Sequence, residues 1–405
     1  MLRRFHAPLR RAILYANQTK VITSFFFKRK RQTVAGFLFC LLLATTACGS
    51  SEETNEPTES TETNIRERIE NQLTFDDVTL KQLNSEGERL WIVDATEAAY
   101  NQNRNVASVK KPQGELYQNG QVTYEVEADT GTIYEDGKTI VLQGNVVAKQ
   151  KEDGTVLYGD ELEWYPQKDL LLVRGNLRGV QDQTEVLAQE GKVYNEQSRV
   201  ELTGDVVMTD KASRLRLKTQ KVLWELDAKR ASSETEVNIE RYSKEDKEQV
   251  RDRATADRGE VQLDKEIAIL QQNAKVVMGE PPITVNSDRL EWNIQQETVN
   301  SPIPVTMFHR QKEFTLKGNQ GLLDLQQQTM FANGNVVATA TQDDSRLQSN
   351  RLRWDLAEET FTATGNVVYR QSNPAMTSTG PQAKGRLQDQ QIILEGGRVV
   401  TEIVP

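Results

Sequence analysis

Histidine and cysteine are the side chains that most often give a protein catalytic or metal-binding chemistry. This 405-residue sequence contains two histidines, His6 and His309, and two cysteines, Cys40 and Cys48. After Cys48 a single histidine and no cysteine remain. With so few histidines and cysteines, a metalloenzyme, an enzyme with cysteine chemistry and a Ser-His-Asp hydrolase are nearly excluded. We therefore expect no enzyme activity, no metal site and no cofactor.

Charge is distributed unevenly along the chain. Residues 1–47 carry nine of the 50 Lys and Arg and no acidic residue, which leaves 41 basic against 59 acidic residues, a net charge of −18, for the rest. A body this acidic argues against nucleic acid as a partner. Carboxylates such as Asp160, Glu161 and Glu163 alternate along predicted strands, so they are most simply a solvent-facing side.

Residues 1–48 have the pattern of an export signal. A basic cluster at 28–31 precedes an apolar run at 34–44, which is shorter than the roughly 17–25 residues of a spanning helix. Small residues then surround Cys48 in a pattern that resembles the lipobox of bacterial lipoproteins, although Thr45 stands where leucine is usual. We expect Cys48 to be lipidated, with an uncleaved signal anchor and an ordinary cleaved signal as alternatives.

The segment 49–70 begins with a run rich in Glu, Ser and Thr. Such a composition cannot bury enough apolar surface to fold, so we predict an acidic disordered tether between the membrane and a folded body.

The remaining chain is built from repeats. An apolar-x-Gly-Asn/Asp phrase recurs, and its clear copies carry Gly144, Gly175, Gly204, Gly334 and Gly365. Neighbouring copies are 29–31 residues apart, except across the interval from Gly204 to Gly334, which contains a degenerate copy at 272–278. A second phrase, apolar-x-Trp, marks every second repeat with Trp164, Trp224, Trp292 and Trp354. Both phrases alternate apolar and polar residues with period two, which favours half-buried strands.

The recurring glycines have β-branched neighbours, which favours a bend within a strand over a hairpin turn. Stacked bent strands would bring their apolar faces into one continuous interior. We predict an all-β body of repeated antiparallel strands, with a first set of repeats at 71–238 and a second at 239–405 that is either continuous with the first or separate from it. The charged segment 240–253 breaks the rhythm, and it is most simply a solvated face, a protruding hairpin or a boundary between the two sets.

These residues carry a family resemblance. The repeated Gly-Asn-Val strands alternating with Leu-x-Trp strands are similar to the OstA-like periplasmic proteins of lipopolysaccharide transport, LptA, LptC and the N-terminal part of LptD. The start of the body, with motifs at 80–83, 90–95 and 98–100, looks most like LptC, although this chain is about twice as long as usual.

The resemblance implies an open, V-shaped β-jellyroll, either one extended roll or two in tandem, that holds the lipid A acyl chains of lipopolysaccharide. It also implies a periplasmic protein at the inner membrane, anchored here by its N-terminal lipid or signal anchor. Such a protein receives lipopolysaccharide from inner-membrane ABC transporter subunits and passes it towards the outer membrane through an LptA-like or LptD-like jellyroll. The joining edges would be residues 90–93 and 392–403.

The groove of such a roll would be lined by the inward side of the strands. The tryptophans could line a cavity or fill the core, and photo-crosslinkers at Val146, Val206 or Val336 would capture the cargo. The predicted lining residues are Ile140, Leu142, Val146, Leu162, Trp164, Leu202, Val206, Trp224, Trp292, Val336, Trp354, Phe361 and Val367.

Two alternatives remain open at the level of sequence. The first is a soluble, LptA-like bridge protein whose signal is removed, and the fate of Cys48 separates it from an anchored protein. The second is a structural β-solenoid scaffold with a filled core and no lipid cargo, which the packing of the interior would reveal.

Overall fold

The computed structural model describes residues 73–403 except 102–104, 135–137, 247, 342–343, 373–374 and 387–390. These residues form 28 strands and one short 3-10 turn, Pro166–Lys168. The predicted signal and tether, with Cys48, lie outside the described residues. The prediction of an all-β body of antiparallel strands is confirmed, because every strand pair among the described residues is antiparallel. Together these strands form one continuous sheet.

The first fourteen strands run from the N-terminal edge to the middle of the body. They are β1 (Leu73–Leu83), β2 (Arg89–Tyr100), β3 (Val106–Lys110), β4 (Gln113–Gln118), β5 (Gln121–Glu127), β6 (Thr130–Tyr134), β7 (Ile140–Gln150), β8 (Val156–Tyr165), β9 (Leu170–Gln181), β10 (Thr184–Tyr194), β11 (Arg199–Asp210), β12 (Leu215–Glu225), β13 (Arg230–Ser233) and β14 (Val237–Tyr242).

The other fourteen continue to the C-terminal edge. They are β15 (Val250–Ala256), β16 (Arg258–Gln262), β17 (Ile267–Val277), β18 (Ile283–Asn293), β19 (Thr298–Ser301), β20 (Val305–His309), β21 (Phe314–Gly318), β22 (Gln320–Asp324), β23 (Thr329–Ala340), β24 (Ser345–Asp355), β25 (Thr360–Gln371), β26 (Met376–Arg386), β27 (Gln391–Glu395) and β28 (Val400–Ile403).

The recurring glycines lie inside strands, at bulges. In β7, Gly144 and Asn145 together oppose the single residue Asp160 of β8, and the register shifts at this point. Both residues have positive φ, 77° for Gly144 and 44° for Asn145, a region that glycine and asparagine adopt most readily. Equivalent shifts recur in later pairs, for example β11 with β12 and β23 with β24. Because β-bulges bend a strand, the prediction of an internal bend is confirmed.

The aligned bulges divide the sheet into two legs of an open V-shaped jellyroll. One leg, here called the Trp leg, contains the strand halves that carry Trp164, Trp224, Trp292 and Trp354. The other, the opposite leg, contains the remaining halves, such as residues 146–150 of β7 and 156–159 of β8. The loops at the far ends of the legs border the mouth of the V. At several places two short strands, one in each leg, replace a single long bent strand. For example, β3 and β4 both pair with β2.

Two clusters of buried apolar side chains fill the space between the legs. One runs from Trp91 to Ala231 and the other from Val237 to Ala383. Strand pairing nevertheless continues between them, through β12 with β14 and β13 with β16. The division of the body at 238/239 stays a prediction.

The N-terminal edge differs from the one predicted. Residues 90–93 belong to β2, which pairs with β1 on one side and with β3 and β4 on the other, so they are not an edge. In the described residues β1 pairs only with β2, and it exposes Leu73 and Phe75. At the other end residues 392–403 do lie at an edge, because β27 and β28 pair only with β26 within the described residues. Joining to a partner at this edge stays a prediction.

The charged segment 240–253 is a hairpin, and the expectation of a solvated face is wrong for its inward residues. Strands β14 and β15 pair directly, and Arg241 faces Asp252 across them. These two residues are 2% and 1% exposed, and Glu240 is 8% exposed. Arg241 and Asp252 can be buried because they neutralise each other, with Nε of Arg241 donating to Oδ2 of Asp252 at 2.7 Å.

Candidate functional site

The four tryptophans of the Trp leg stand in one row of inward side chains that crosses the sheet. Each residue of the row pairs with the next one across two adjacent strands, and every fourth residue of the row is a tryptophan. The row is Ile140, Trp164, Leu171, Val193, Val200, Trp224, Ala231, Val261, Ala268, Trp292, Val299, Leu323, Met330, Trp354 and Phe361.

Three of these tryptophans are fully buried, and each is covered by a side chain from the opposite leg. The covering contacts are Tyr124 on Trp164, with ring centroids 6.4 Å apart, Arg241 on Trp292, with the guanidinium 5.5 Å from the ring centroid, and Phe314 on Trp354, with centroids 4.3 Å apart. Large side chains at these points therefore fill the V from leg to leg.

Polar contacts close the mouth beside Tyr124. Its hydroxyl donates to Oδ1 of Asn195 at 2.9 Å, across the mouth. Asp169 of the Trp leg accepts from the side chain of Gln118 and from the backbone N–H of Glu196. Burial, followed by the charges of Asp153 and Asp169, raises the pKa of Tyr124, so its hydroxyl remains a donor.

Trp224 is the exception among the four, because it is only half-buried and borders an open cavity. The cavity has a volume of about 750 Å³, within the roughly 300–1,000 Å³ typical of ligand pockets. On the opposite leg Gly179 lies in the inward row between Leu157 and Val186. A Cβ there would make only ordinary contacts, 3.4 Å from Cδ2 of Leu157 and 3.9 Å from Cβ of Val186, so the missing side chain leaves open space.

The cavity has an apolar floor and a polar rim. The floor is formed by Leu157, Leu177, Val186, Val193, Val200, Leu202 and Trp224. The rim on the opposite leg is formed by Gln150, Thr155, Gln181 and Thr184. Elsewhere on this leg the large side chains of Tyr124 and Phe314 take the corresponding positions. Lys151, Glu152, Asp153 and Glu196 also border it and make it acidic. This arrangement suits an amphiphile whose apolar part enters and whose polar part stays at the mouth.

The comparison with known proteins agrees with the repeat pattern. The family model of lipopolysaccharide-assembly, LptC-related proteins matches residues 39–157 and 154–245, just over half of the chain. The chain belongs to this LptC-related family. The two matches overlap at residues 154–157 and together cover residues 39–245.

A solved structure gives a weaker likeness. It is titled as the crystal structure of LptH, the LptA homologous periplasmic component of the conserved lipopolysaccharide transport device from Pseudomonas aeruginosa. It is 17% identical, covers 25% of this chain and 76% of its own, and has a TM-score of 0.23, so the family model alone assigns the family. No curated protein matches this chain.

The thirteen predicted lining residues of this LptC-related chain fall into three groups. Leu202 and Trp224 border the large cavity. Phe361 borders a small cleft of about 50 Å³ with Phe314 and Tyr369. The others are buried in the two clusters away from the cavity, and they are Ile140, Leu142, Val146, Leu162, Trp164, Val206, Trp292, Val336, Trp354 and Val367.

Sequence reasoning missed several residues of the cavity of this LptC-related chain. Val193 and Val200 share the strand alternation that identified Trp224, so the same signal could have found them. Gly179 carries no such signal, because its importance is the absence of a side chain opposite Trp224.

Two further features bear on the chemistry of this LptC-related chain. No helix among the described residues is long and apolar enough to cross a membrane. In the same part of the chain, no three His, Cys, Asp or Glu side chains are grouped to hold a metal ion.

Proposed function

We propose that this LptC-related chain transfers lipopolysaccharide through the periplasm, with lipid A acyl chains in the cavity above Trp224. The observation that carries the proposal is this cavity, with its apolar floor and polar rim, in a chain of a lipopolysaccharide-assembly family. Each methylene that leaves water there contributes about 0.8 kcal/mol. Such binding needs no catalytic residue, so the role is transport rather than catalysis.

The proposed route begins at the inner membrane. An ABC transporter supplies lipopolysaccharide, the chain takes up its acyl chains, and an LptA-like or LptD-like jellyroll receives them next. The sheet edges support joining to other jellyrolls, because β1 and the strands β27 and β28 each leave one side without a partner strand in the described residues. Unpaired strand edges bind added strands through backbone hydrogen bonds.

Photo-crosslinking in cells with an active transporter tests the proposal. A photoreactive residue at Val200, in the floor of the cavity, should capture lipopolysaccharide, whereas one at the neighbouring Glu201, on the other face of β11, should not. Leu157 and Tyr158 of β8 provide a second such pair. Equal capture from both faces, or none from the floor, would contradict the proposal.

A structural scaffold without cargo is the second candidate. The dense packing of the second cluster, where Trp292 and Trp354 are fully buried and covered, favours it. The two functions differ in what fills the cavity above Trp224. If the full-length chain purified from cells carries no lipid and captures none at Val200, the scaffold is the better explanation.

Membrane attachment is a separate part of the proposal. We propose that the chain is held at the inner membrane through lipid on Cys48 or through an uncleaved signal. A Cys48→Ser variant should lose lipid labelling and leave the membrane fraction if the lipid is the anchor. Retention of the variant at the membrane would favour the uncleaved signal, and release of the unmodified chain would favour a soluble bridge protein.

A further inference from the structure

A network of four charged side chains, two of them buried, spans the mouth beside Trp292. At its centre is Asp252, whose Oδ2 accepts from Nε of Arg241 at 2.7 Å and from Nε of Arg251 at 2.8 Å. Its Oδ1 accepts from the backbone N–H of Gly279 at 3.1 Å. Both carboxylate oxygens of Asp252 are therefore engaged, and this part of the network is a fixed element of the opposite leg.

The part of the network nearer solvent is held less tightly. Nη1 of Arg241 lies 3.4 Å from Oε1 of Glu297, and Nη2 of Arg251 lies 3.2 Å from the same oxygen. Both arginines belong to the opposite leg, whereas Glu297 lies in the turn between β18 and β19 of the Trp leg. These distances are long for charge-assisted hydrogen bonds. Nη2 of Arg241 is buried and has no hydrogen-bond partner, which is unfavourable for a charged group.

The weakly held group is also the accessible one. The side chains of Arg251 and Glu297 are 29% and 35% exposed, whereas that of Arg241 is 2% exposed. An anion arriving from the mouth could therefore replace Glu297 without disturbing Asp252. Once Glu297 leaves, two guanidinium groups face one carboxylate, and one positive charge is left over.

We propose that Arg241 and Arg251 form a binding site for a phosphate group of the cargo, and that Glu297 occupies this site when no cargo is present. Guanidinium groups bind phosphate in a planar, two-pronged geometry, and phosphate has enough oxygens to reach both arginines and the unpartnered Nη2. This inference rests on the proposed function.

The cavity above Trp224 explains why a separate phosphate site is needed. Its rim has Lys151 against Glu152, Asp153 and Glu196, which repel an anion. The cavity is suited to acyl chains and uncharged sugar, and the arginine pair, further along the same interior, is suited to phosphate. Phosphate binding would also remove the link from Arg241 and Arg251 to the Trp leg, and so loosen the mouth there.

Binding of lipid A to the full-length chain in detergent tests this site. Phosphorylated lipid A is compared with the same lipid A after enzymatic removal of its phosphates. Glu297→Gln removes the competing charge and leaves Asp252 and both arginines in place, so it should tighten binding of the phosphorylated form by about fivefold. Arg251→Gln should weaken that binding by about tenfold. Neither variant should change binding of the dephosphorylated form.

Glu291→Gln is the matched control. Glu291 lies on β18, which leads into the turn that carries Glu297, and it pairs with Arg289 rather than with the network. It should leave both affinities unchanged. If phosphorylated and dephosphorylated lipid A bind the unmodified chain equally well, or if Glu297→Gln does not tighten binding, the proposal is overturned. The second criterion does not depend on Arg251→Gln being folded.

Inorganic phosphate distinguishes the two sources of the same chemistry. It should compete with phosphorylated lipid A and not with the dephosphorylated form. If inorganic phosphate binds Glu297→Gln while the lipid phosphates have no effect on affinity, the assignment to the cargo is overturned. Binding of neither form of lipid A to the unmodified chain would instead contradict the proposed function, so the two failures are distinguishable.

Discussion

Asp129 lies directly over Gly144, and a Cβ on that glycine would be 2.9 Å from Oδ2 of Asp129. Asn145 holds the carboxylate there, since its Nδ2 donates to Oδ2 of Asp129 at 2.6 Å. The same relationship recurs at the other bends, where a polar side chain fifteen residues earlier covers the glycine. The further pairs are Asp160 on Gly175, Gln189 on Gly204, Asn319 on Gly334 and Asn350 on Gly365.

Alanine at a bend should therefore cost more stability than alanine at an ordinary turn. Gly144 and Gly120 have similar φ, 77° and 75°, but nothing lies within 4 Å of a Cβ on Gly120. We expect Gly120→Ala to cost about 1 kcal/mol of unfolding free energy from backbone strain, and Gly144→Ala about 2–3 kcal/mol because Asp129 must also move. Thermal and denaturant unfolding measure both, and equal costs would show that Asp129 does not constrain the bend.

Filling the cavity should block cargo and leave the fold intact. In Gly179→Phe the new ring would occupy part of the cavity that Trp224 also borders, and the ordinary contacts of its Cβ predict little strain. We expect the photo-crosslink at Val200 to fall at least about tenfold, with the melting temperature preserved or raised. Leu187→Phe, at an exposed position on the outer face of the adjacent strand β10, is the control and should keep the crosslink. Undiminished capture in Gly179→Phe would place the cargo elsewhere.

The C-terminal edge should determine coupling to the next jellyroll. Ile393 and Ile403 are 61% and 67% exposed on the last strands. A lysine at either position should discourage strand addition and reduce co-purification with an LptA-like partner by about tenfold or more, with little change in the stability of the chain itself. Leu187→Lys places the same charge on the face of the sheet, away from the edge, and should not affect the partner. If all three variants behave alike, the edge is not the joining surface.

His309 should make stability depend on pH. Burial, with a smaller effect of Lys312, holds the pKa of His309 below its usual value, so the fold favours the neutral ring beside Trp354. That stabilisation is complete above the unfolded pKa of about 6.5 and is lost as the pH falls through 6.5 towards the lower folded pKa.

The backbone N–H of Lys312 donates to Nδ1 of His309 at 3.2 Å. The variant His309→Asn keeps a side-chain acceptor for this hydrogen bond. When the pH is lowered from 7.5 to 5.5, the melting temperature of the unmodified chain should fall further than that of this variant. Parallel pH profiles for the two proteins would contradict the assignment of the pH dependence to His309.

Much of the architecture could be predicted from the sequence because it depends on local and periodic features. The alternation around Gly144 and Trp164 identifies strands, and the recurrence of these phrases predicts that the strands stack. The bends were also predictable, since glycine and asparagine adopt the positive φ that a bulge requires. The N-terminal edge was not, because alternation in residues 90–93 shows that they form a strand but not which strands lie beside it.

The candidate site illustrates the same limit. By itself, the sequence determined a row of inward tryptophans in a bent, stacked sheet, because side-chain direction in a strand follows from alternation. Only the tertiary structure decided that Trp164, Trp292 and Trp354 fill the interior while Trp224 borders a cavity. The deciding residues, Tyr124 and Gly179, lie on the opposite leg, and contact across the V depends on how two distant strand halves face each other. For the same reason the burial of Arg241 and Asp252 could not be read from a run of charges.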